Sequence, residues 1–368
     1  MTAWTDADRQ HMSRAFELAR RGLYSTDPNP RVGCVLVRDG SVVGEGWHER
    51  AGEPHAEAAA LARAGAAARG CTAYVTFEPC DHHGRTPPCS LALIAAGVAR
   101  VVYTIDDPNP AVAGNGAARL RAQGIAVDSG LMAAEAGALN PGYLKRRRTG
   151  RPFVRVKVAA SLDGRTALAS GESRWITSKT ARTDAQHFRA RSSVVLTGIG
   201  TVLADDPAMN VRIEASRRQP LRAILDSTLR TPVEARIINR QGAVLVVATQ
   251  DHPERRDALQ RKGVEVVIQP QHDARPDLAA VLDLLGQREM NEVWVEAGAT
   301  LAGAFVRQRL FDELVVYLAP TLLGPDARPL LDLPALAGLD ARPRLRFTGC
   351  ERIGDDLRIT AVPDDEAN

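Results

Sequence analysis

The sequence predicts two successive α/β domains. The chain has 368 residues, which is longer than one typical domain of roughly 100 to 200 residues. Its hydrophobic content of 45% is enough for two sizeable cores. Short apolar runs alternate with helical patterns in both halves, as in α/β folds. Helix-breaking residues and a basic cluster at residues 145–151 separate an alanine-rich half from a valine-rich half. We therefore expect domains over residues 1–145 and 146–368.

The elements of the first half follow from turn and helix signals. "RVGCVLVRDGSVVGEGWHE" predicts two strands joined at Asp39-Gly40, a pair suited to a tight hairpin turn. "EPHAEAAALARAGAAA" starts with Pro54 and continues with strong helix formers, so His55 and Glu57 are expected on the first turn of a helix. Further along, "CTAYVTF" and "ARVVYTI" predict strands, and "PPCSLALIAAGV" and "GAARLRAQG" predict helices.

Charge and cysteine content narrow the possible functions. The net charge of +3 does not require a polyanionic partner, and an aromatic content of 4% gives no support for nucleic-acid binding. Five cysteines form an odd, sparse set that is a poor disulfide framework, which favours a reducing cytoplasm. The charged N-terminus has no apolar stretch of signal-peptide length, and no run of about 18 apolar residues occurs. A soluble protein that is not exported is expected.

A metal site accounts best for His55, Cys80 and Cys89. One imidazole and two thiolates are the ligand set of a zinc site whose fourth position stays open for water, as in catalysis. Glu57 lies two residues after His55, where a carboxylate can take a proton from water and pass it to a leaving amine. The zinc-deaminase signature H-x-E followed by P-C-x-x-C is matched by "HAE" and "PC", whereas Cys89 comes later than the signature requires.

The same cysteines and histidines are compatible with three further types of protein. A structural zinc site would need a fourth protein ligand, for which His82 and His83 are the obvious donors. A nucleic-acid base deaminase would share the zinc motif but should carry a basic stripe with exposed aromatic side chains. A non-catalytic, zinc-stabilised binding protein would give Glu57 no chemical role. Cys34 and Cys71 lie in strand-like apolar surroundings, so they are expected in the core.

The second half contains short apolar runs typical of buried parallel strands, with helical patterns between several of them. Its end, "RLRFTGCERIGDDLRITAV", predicts a terminal antiparallel hairpin. The G-x-G-x-x-G loop of a Rossmann fold does not follow the first strand. Instead, "TGIG" and "EAGATLAG" follow later strands, where backbone N–H groups could hold a pyrophosphate.

Six segments together resemble one enzyme family. "TDPNPRVGCVLV", "GWHERAGEPHAEAAAL" and "EPCDHHGRTPPCSLALIAAGV" resemble the deaminase half of the bifunctional riboflavin-biosynthesis deaminase/reductases. The resemblance continues through "VKVAASLDGRTALASGESRWITS", "RARSSVVLTGIGTVLADDPAMNVR" and "VEAGATLAGAFV", and so covers nearly the whole chain. Asp81 is a departure, because the family pattern leads us to expect a small polar residue such as serine there.

The resemblance implies a cytidine-deaminase-like α/β/α sandwich followed by a dihydrofolate-reductase-like domain. It implies zinc-dependent hydrolysis of the C2 amine of 2,5-diamino-6-ribosylamino-4(3H)-pyrimidinone 5′-phosphate. NADPH-dependent reduction of the ribosyl group to ribityl would follow. It also implies a cytoplasmic homodimer, joined through the reductase halves, that acts on this small molecule and has no nucleic-acid or membrane partner.

The resemblance also assigns roles to individual residues. In the first half, His55, Cys80 and Cys89 would be zinc ligands and Glu57 the proton shuttle. Expected substrate contacts are Asn29, His48, Thr86, Lys157, Ser173, Arg189, Met209, Arg212 and Glu296. Expected cofactor contacts are Trp175, Thr177, Thr201, Asp205, Ser227, Gly298, Ala299, Thr300, Leu301, Ala302, Gly303 and Ala304. The charge of Arg189 and Arg212 agrees with this, because guanidinium groups can bind a 5′-phosphate bidentately.

Overall fold

Residues 4–82, 87–109, 113–216, 218–269 and 274–364 are described by a computed structural model. The chain divides into two units, Met1–Gly150 and Arg151–Asn368. The expected linker at residues 145–151 is mostly helical, because Pro141–Thr149 forms the last helix of the first unit. Pro141 opens this helix at a position where a missing N–H is harmless, and Gly150 ends it with a φ of 77°.

The described part of the first unit contains a five-stranded sheet with the order β2-β1-β3-β4-β5. The expected hairpin is confirmed, since Asp39 and Gly40 have φ values of 51° and 76°, as a type I′ turn requires. The first three strands in this order pair antiparallel, and the remaining pairs are parallel. The strands are β1 (Gly33–Arg38), β2 (Ser41–Trp47), β3 (Thr72–Val75), β4 (Arg100–Tyr103) and β5 (Ala126–Ser129).

Helices cover both faces of this sheet, which confirms the α/β/α sandwich. On one face Phe16 packs against the sheet, and on the other Leu93 and Leu120 do. Cys34 and Cys71 are fully buried in the second of these cores, as expected. The helices are α1 (Asp6–Arg21), α2 (Ala56–Ala64), α3 (Cys89–Ala96), α4 (Asn115–Ala122), α5 (Ala133–Leu139) and α6 (Pro141–Thr149), with a 3₁₀ turn at Gly65–Ala68.

Gly46 of β2 allows α2 to approach the sheet closely. A Cβ atom at this position would lie 2.3 Å from the carbonyl oxygen of Ala56, so any side chain would clash with the backbone. α2 begins at Ala56, one residue later than expected, with His55 as its N-cap residue. The close packing therefore fixes the start of α2, which carries His55 and Glu57, against the sheet.

The second unit contains a nine-stranded sheet within its described residues, with the order β11-β10-β9-β8-β12-β6-β13-β16-β15. Pairing is parallel from β11 to β13, and β16 and β15 add the expected antiparallel hairpin. β7 and β14 form a separate two-stranded ladder that we did not expect. The strands are β6 (Phe153–Ser161), β7 (Arg165–Ala167), β8 (Val194–Gly198), β9 (Leu221–Leu225), β10 (Val244–Ala248), β11 (Glu265–Ile268), β12 (Glu292–Glu296), β13 (Glu313–Ala319), β14 (Arg328–Pro329), β15 (Leu345–Ile353) and β16 (Asp356–Pro363).

Helices also cover both faces of the larger sheet. Leu282 and Phe305 are buried on one face, and Ala185, Val202 and Leu259 on the other. The helices are α7 (Lys179–Arg191), α8 (Ile199–Asp205), α9 (Pro253–Arg261), α10 (Leu278–Gln287) and α11 (Ala299–Arg307), with a 3₁₀ turn at Leu339–Ala341. Within the described ranges, every helix is too short or too polar to cross a bilayer.

Candidate functional site

His55, Cys80 and Cys89 converge as the sequence predicts. Their ligand atoms all lie within 4.8 Å of one another. The Nδ1 atom of His55 is 3.5 Å from the sulfur of Cys80 and 3.3 Å from that of Cys89. Tetrahedral zinc, with bonds of about 2.3 Å to sulfur and 2.0 Å to nitrogen, places these ligands about 3.5 Å apart. The residues present therefore fit a zinc ion in both donor chemistry and spacing.

This group of donors does not include a fourth ligand from the described residues. His82 lies outside the group. His83, the other spare donor considered for a closed structural site, lies outside the described residues. The three ligands found among the described residues leave one position for water, as in catalytic zinc sites.

The two cysteine side chains share one negative charge, which lies on the sulfur of Cys80. The hydrogen bond from the Cys89 thiol, together with His55, lowers the pKa of Cys80 to about 4. The pKa of Cys89 is raised instead, because its proton is shared with Cys80 and because the side chain is buried. The backbone N–H of Cys89 also donates to the Cys80 sulfur over 3.4 Å. The site therefore stabilises a thiolate, the form that binds metal.

Glu57 is buried beside these ligands, with 3% of its surface exposed. Burial raises its pKa to about 7, and the negative charge of Cys80 acts in the same direction. A carboxyl group with a pKa close to neutrality can both accept and donate a proton at physiological pH. Its position and pKa are therefore those of a proton-transfer group.

Asn29 and His48 lie together next to the metal ligands. The rings of His48 and His55 are 5.3 Å apart and meet edge to face. The Nδ1 of His48 lies 3.1 Å from the Pro54 carbonyl, which makes it the donor, so Nε2 accepts from the Asn29 amide over 3.0 Å. His48 is buried, and burial lowers its pKa. Thr86, the third expected substrate contact of this half, lies outside the described residues.

The second unit has a cleft of about 1990 Å³ at the carboxyl ends of β8, β9 and β12. Pockets for drug-sized ligands are typically about 300–1,000 Å³, so this cleft has room for a dinucleotide together with a substrate. The N-terminus of α11 opens onto the cleft, with Gly298 as its N-cap residue. Its unpaired N–H groups and the helix dipole suit a phosphate group. The residues present therefore fit NADPH.

Most of the expected residues of the second half line this cleft, but two do not. Ala302 is fully buried in the apolar core. Gly303 packs against the backbone of Asp332, whose oxygen would lie 2.4 Å from an added Cβ atom. Their expected contact with a cofactor is therefore corrected. The residues that line the cleft are Lys157, Ser173, Trp175, Thr177, Arg189, Thr201, Asp205, Met209, Arg212, Ser227, Glu296, Gly298, Ala299, Thr300, Leu301 and Ala304.

Arg189 has a carboxylate partner, which changes the expectation that it binds phosphate. Its guanidinium forms a bidentate ion pair with Glu296, in which Nη2 lies 2.7 Å from Oε2. The indole N–H of Trp294 donates to the other oxygen of Glu296 over 2.7 Å. Burial opposes ionisation of Glu296, but Arg189, Lys157 and Trp294 together lower its pKa to about 2. The charge of Arg189 is therefore already compensated.

Arg212 forms no ion pair with a carboxylate among the described residues. It hydrogen-bonds the neutral side-chain oxygen of Asn210 over 3.1 Å. Its pKa is lowered by partial burial and then by nearby cations, which include Arg236 and Arg240. Both of these arginines line the cleft. This end of the cleft is thus strongly positive.

Several functional candidates were missed by sequence reasoning. Arg236 and Arg240 lie in an irregular segment, where spacing carries no signal. Arg182 stacks over the exposed ring of Trp175 at 4.1 Å from its centroid. Trp294 was detectable in principle, because residues two apart on a strand share a face and Glu296 was already a candidate.

Comparison with known proteins agrees with both sites. The family model "RibD C-terminal domain" matches residues 152–359, and the model "Cytidine and deoxycytidylate deaminase zinc-binding region" matches residues 5–105. The riboflavin biosynthesis protein RibD of Escherichia coli (strain K12) is 51% identical over an alignment that covers 96% of this chain and 99% of that protein.

Two solved structures extend the comparison to the fold. Acinetobacter baumannii RibD superposes with a TM-score of 0.91 at 46% identity, covering 98% of this chain and 99% of that one. A diaminohydroxyphosphoribosylaminopyrimidine deaminase/5-amino-6-(5-phosphoribosylamino)uracil reductase from Thermotoga maritima gives a TM-score of 0.87 at 32% identity, covering 97% and 99%. The expected deaminase-like and dihydrofolate-reductase-like folds are confirmed. The chain belongs to the RibD family of bifunctional riboflavin-biosynthesis enzymes, which combine a zinc-dependent deaminase with an NADPH-dependent reductase.

Proposed function

We propose that Met1–Gly150 carries the deaminase reaction and Arg151–Asn368 the reductase reaction. The first unit hydrolyses the C2 amine of 2,5-diamino-6-ribosylamino-4(3H)-pyrimidinone 5′-phosphate, and the second reduces the ribosyl group of the product to ribityl. The observation that carries this proposal is the buried Glu57 beside a zinc-type donor set, in a chain whose other unit has a dinucleotide-sized cleft.

In the first unit, zinc held by His55, Cys80 and Cys89 supplies a Lewis acid that lowers the pKa of water. Glu57 takes a proton from the attacking water on a carboxylate oxygen and delivers it to the leaving amine nitrogen. Its pKa of about 7 suits both transfers. Asn29 and His48 orient the pyrimidinone ring, together with Thr86.

In the second unit, NADPH supplies the hydride for the reduction. The backbone N–H groups at the start of α11, from Ala299 to Leu301, would hold the cofactor phosphates. Arg212 binds the 5′-phosphate of the substrate, because Arg189 is already paired with Glu296. Glu296 and Lys157 face the ribosyl group. The remaining contacts to the cofactor come from Trp175, Thr177, Thr201, Asp205, Ser227 and Ala304, and those to the substrate from Ser173, Arg189 and Met209.

The chain forms a homodimer through its reductase units. β15 is an edge strand of the described sheet, and it exposes Phe347 to 73% of its full surface. Leu345 and Leu357, on β15 and β16, are also exposed. An edge strand that exposes large apolar side chains is usually covered in the native assembly. Light scattering should give twice the chain mass for the wild type and the single mass for Phe347→Asp.

The enzyme works in the cytoplasm, without a nucleic-acid or membrane partner. The reducing compartment is supported by the odd, sparse set of five cysteines in the sequence, which is a poor disulfide framework. The small net charge of +3 supports a small-molecule substrate over a polyanion.

One coupled assay tests both reactions. The purified protein should release ammonia from the diaminopyrimidinone phosphate without NADPH, and it should oxidise NADPH only after that release. Ammonia release from a cytidine-containing oligonucleotide, and none from the pyrimidinone, would favour the nucleic-acid deaminase instead.

A fragment ending at Gly150 should keep zinc and deaminase activity, because the described residues of this unit bury their own cores.

A further inference from the structure

The two cysteine ligands are widely spaced in the sequence. Eight residues separate Cys80 from Cys89, whereas two separate the cysteines of the usual P-C-x-x-C arrangement. Closing a longer flexible loop costs more conformational entropy. Contacts outside these eight residues are therefore needed to hold Cys80 at the correct distance from Cys89 in the absence of metal.

The segment that leads into Cys80 is held by α4. The carboxylate of Glu78 accepts hydrogen bonds from the backbone N–H groups of Gly114 and Ala117, over 3.1 and 3.4 Å. Gly116 contacts the carbonyl oxygen of Pro79 so closely that an added Cβ atom would lie 1.9 Å from it. The first turn of α4 thus fixes both residues that precede Cys80.

Asp81 continues this contact on the other side of Cys80. Its Oδ1 atom accepts from Nε of Arg119, on α4, over 2.5 Å. The same oxygen accepts from Oγ of Ser90 over 2.5 Å, and the N–H of Ser90 donates to the carbonyl of Cys80 over 3.1 Å. Ser90 is fully buried and directly follows Cys89. The Oδ1 atom of Asp81, which follows Cys80, therefore links Ser90, which follows Cys89, to Arg119 of α4.

We propose that Asp81, Arg119 and Ser90 form a positioning element that holds Cys80 and Cys89 at zinc-binding spacing and raises the affinity of the site for the metal. This inference rests on the proposed zinc site. Asp81 and Arg119 are not ligands, and they act through the two cysteines. Outer groups that orient metal ligands typically contribute about 10- to 100-fold to metal affinity.

The test compares zinc retention in full-length variants. Asp81→Asn and Arg119→Gln should each weaken zinc binding about 10- to 100-fold, measured by competition with a chromophoric chelator. The double variant should lose little more zinc affinity than either single variant, because both substitutions remove the same contact between Asp81 and Arg119. Arg119→Lys keeps the cation and should retain most of the affinity. Arg121→Gln is the matched control, since Arg121 lies on the same helix and donates only to the Val127 carbonyl among its described contacts.

Cobalt substitution and apo-protein melting separate positioning from general stability. The thiolate-to-cobalt absorption bands of Asp81→Asn should shift, whereas those of Arg121→Gln should match the wild type. Zinc affinity within twofold of the wild type in both Asp81→Asn and Arg119→Gln would overturn the proposal, as would an equal loss of stability in apo and zinc-loaded forms. If Arg119→Gln fails to fold, Asp81→Asn alone decides. Zinc retained by Cys89→Ser would overturn the ligand assignment and this inference with it.

Discussion

The ionised carboxylate of Glu296 should stabilise the second unit strongly. It is 9% exposed and pairs bidentately with Arg189, while Trp294 donates to the same carboxylate. Glu296→Gln keeps the shape of the side chain but removes its charge. Arg189, whose side chain is 11% exposed, would then lack its counter-charge. Removing one partner of a buried ion pair typically costs about 3–5 kcal/mol.

The pKa of Glu296 gives a second value for the free energy by which its ionised form stabilises the folded unit. The ordinary value is 4.5 and the folded-state value is about 2. At about 1.4 kcal/mol for each pH unit, this difference corresponds to roughly 3 kcal/mol in favour of the ionised form. Since the folded pKa is lower than the unfolded one, this contribution is complete above pH 4.5 and is lost as the pH falls towards 2.

Unfolding in guanidinium chloride, followed by mass-spectrometric hydrogen exchange of the peptide covering Glu292–Glu296, reports on this unit alone. At pH 7, Glu296→Gln should lower the free energy of unfolding by about 3 kcal/mol, and the gap to the wild type should narrow below pH 4.5. The control is Glu265→Gln. Glu265 pairs with Arg288 at the surface, where its side chain is 53% exposed, so the loss should stay below about 1 kcal/mol.

The reasoning would be refuted if Glu296→Gln lowered the free energy of unfolding by less than about 1 kcal/mol at pH 7, which is the contribution of an exposed ion pair. It would also be refuted by a gap to the wild type that stays constant as the pH falls from neutrality to well below 4.5. The first result would mean that the ion pair contributes no more than an exposed one. The second would mean that the loss of stability does not arise from the charge of Glu296.

Three further predictions concern the chemistry. Glu57→Gln should keep zinc and reductase activity but reduce ammonia release about 10²- to 10⁴-fold; release within a few-fold of the wild type would remove Glu57 from proton transfer. Cys89→Ser should lose zinc in a metal analysis, because a serine hydroxyl stays protonated at neutral pH. Asp205→Ala should raise the NADPH concentration needed for reduction and leave ammonia release unchanged. An equal loss of both activities would indicate misfolding.

The metal ligands could be predicted because their signals are local. His55 and Cys89 each stand next to a proline at a helix start. Cys34 could be separated from the zinc ligands because it lies in a strand-like apolar run, and it is buried in the core. Alternating strands and helices likewise indicated the fold class. The chain divides after Gly150, within the expected boundary at residues 145–151, but this segment is mostly helical, because Pro141 lies at the start of a helix that runs to Thr149.

The roles of the residues in the reductase cleft were harder to predict from the sequence. Arg189 and Glu296 are 107 positions apart, and no local pattern shows that they neutralise each other. Whether Arg189 is available to a phosphate depends on that pairing alone. Ala302 and Gly303 were included because a continuous segment was assigned, but only part of a helix can face a cleft.

The position of β6 in its sheet has a consequence for synthesis of the chain. β6 pairs only with β12 and β13 among the described strands, and Arg155 bonds Glu313 across 158 positions. Translation at about 5–20 residues per second takes roughly 10–30 s to cover that distance. During this interval a largely apolar strand has emerged from the ribosome without its neighbours, while Met1–Gly150 is already complete. The nascent second unit thus exposes an unpaired β6 at a time when the first unit can already fold.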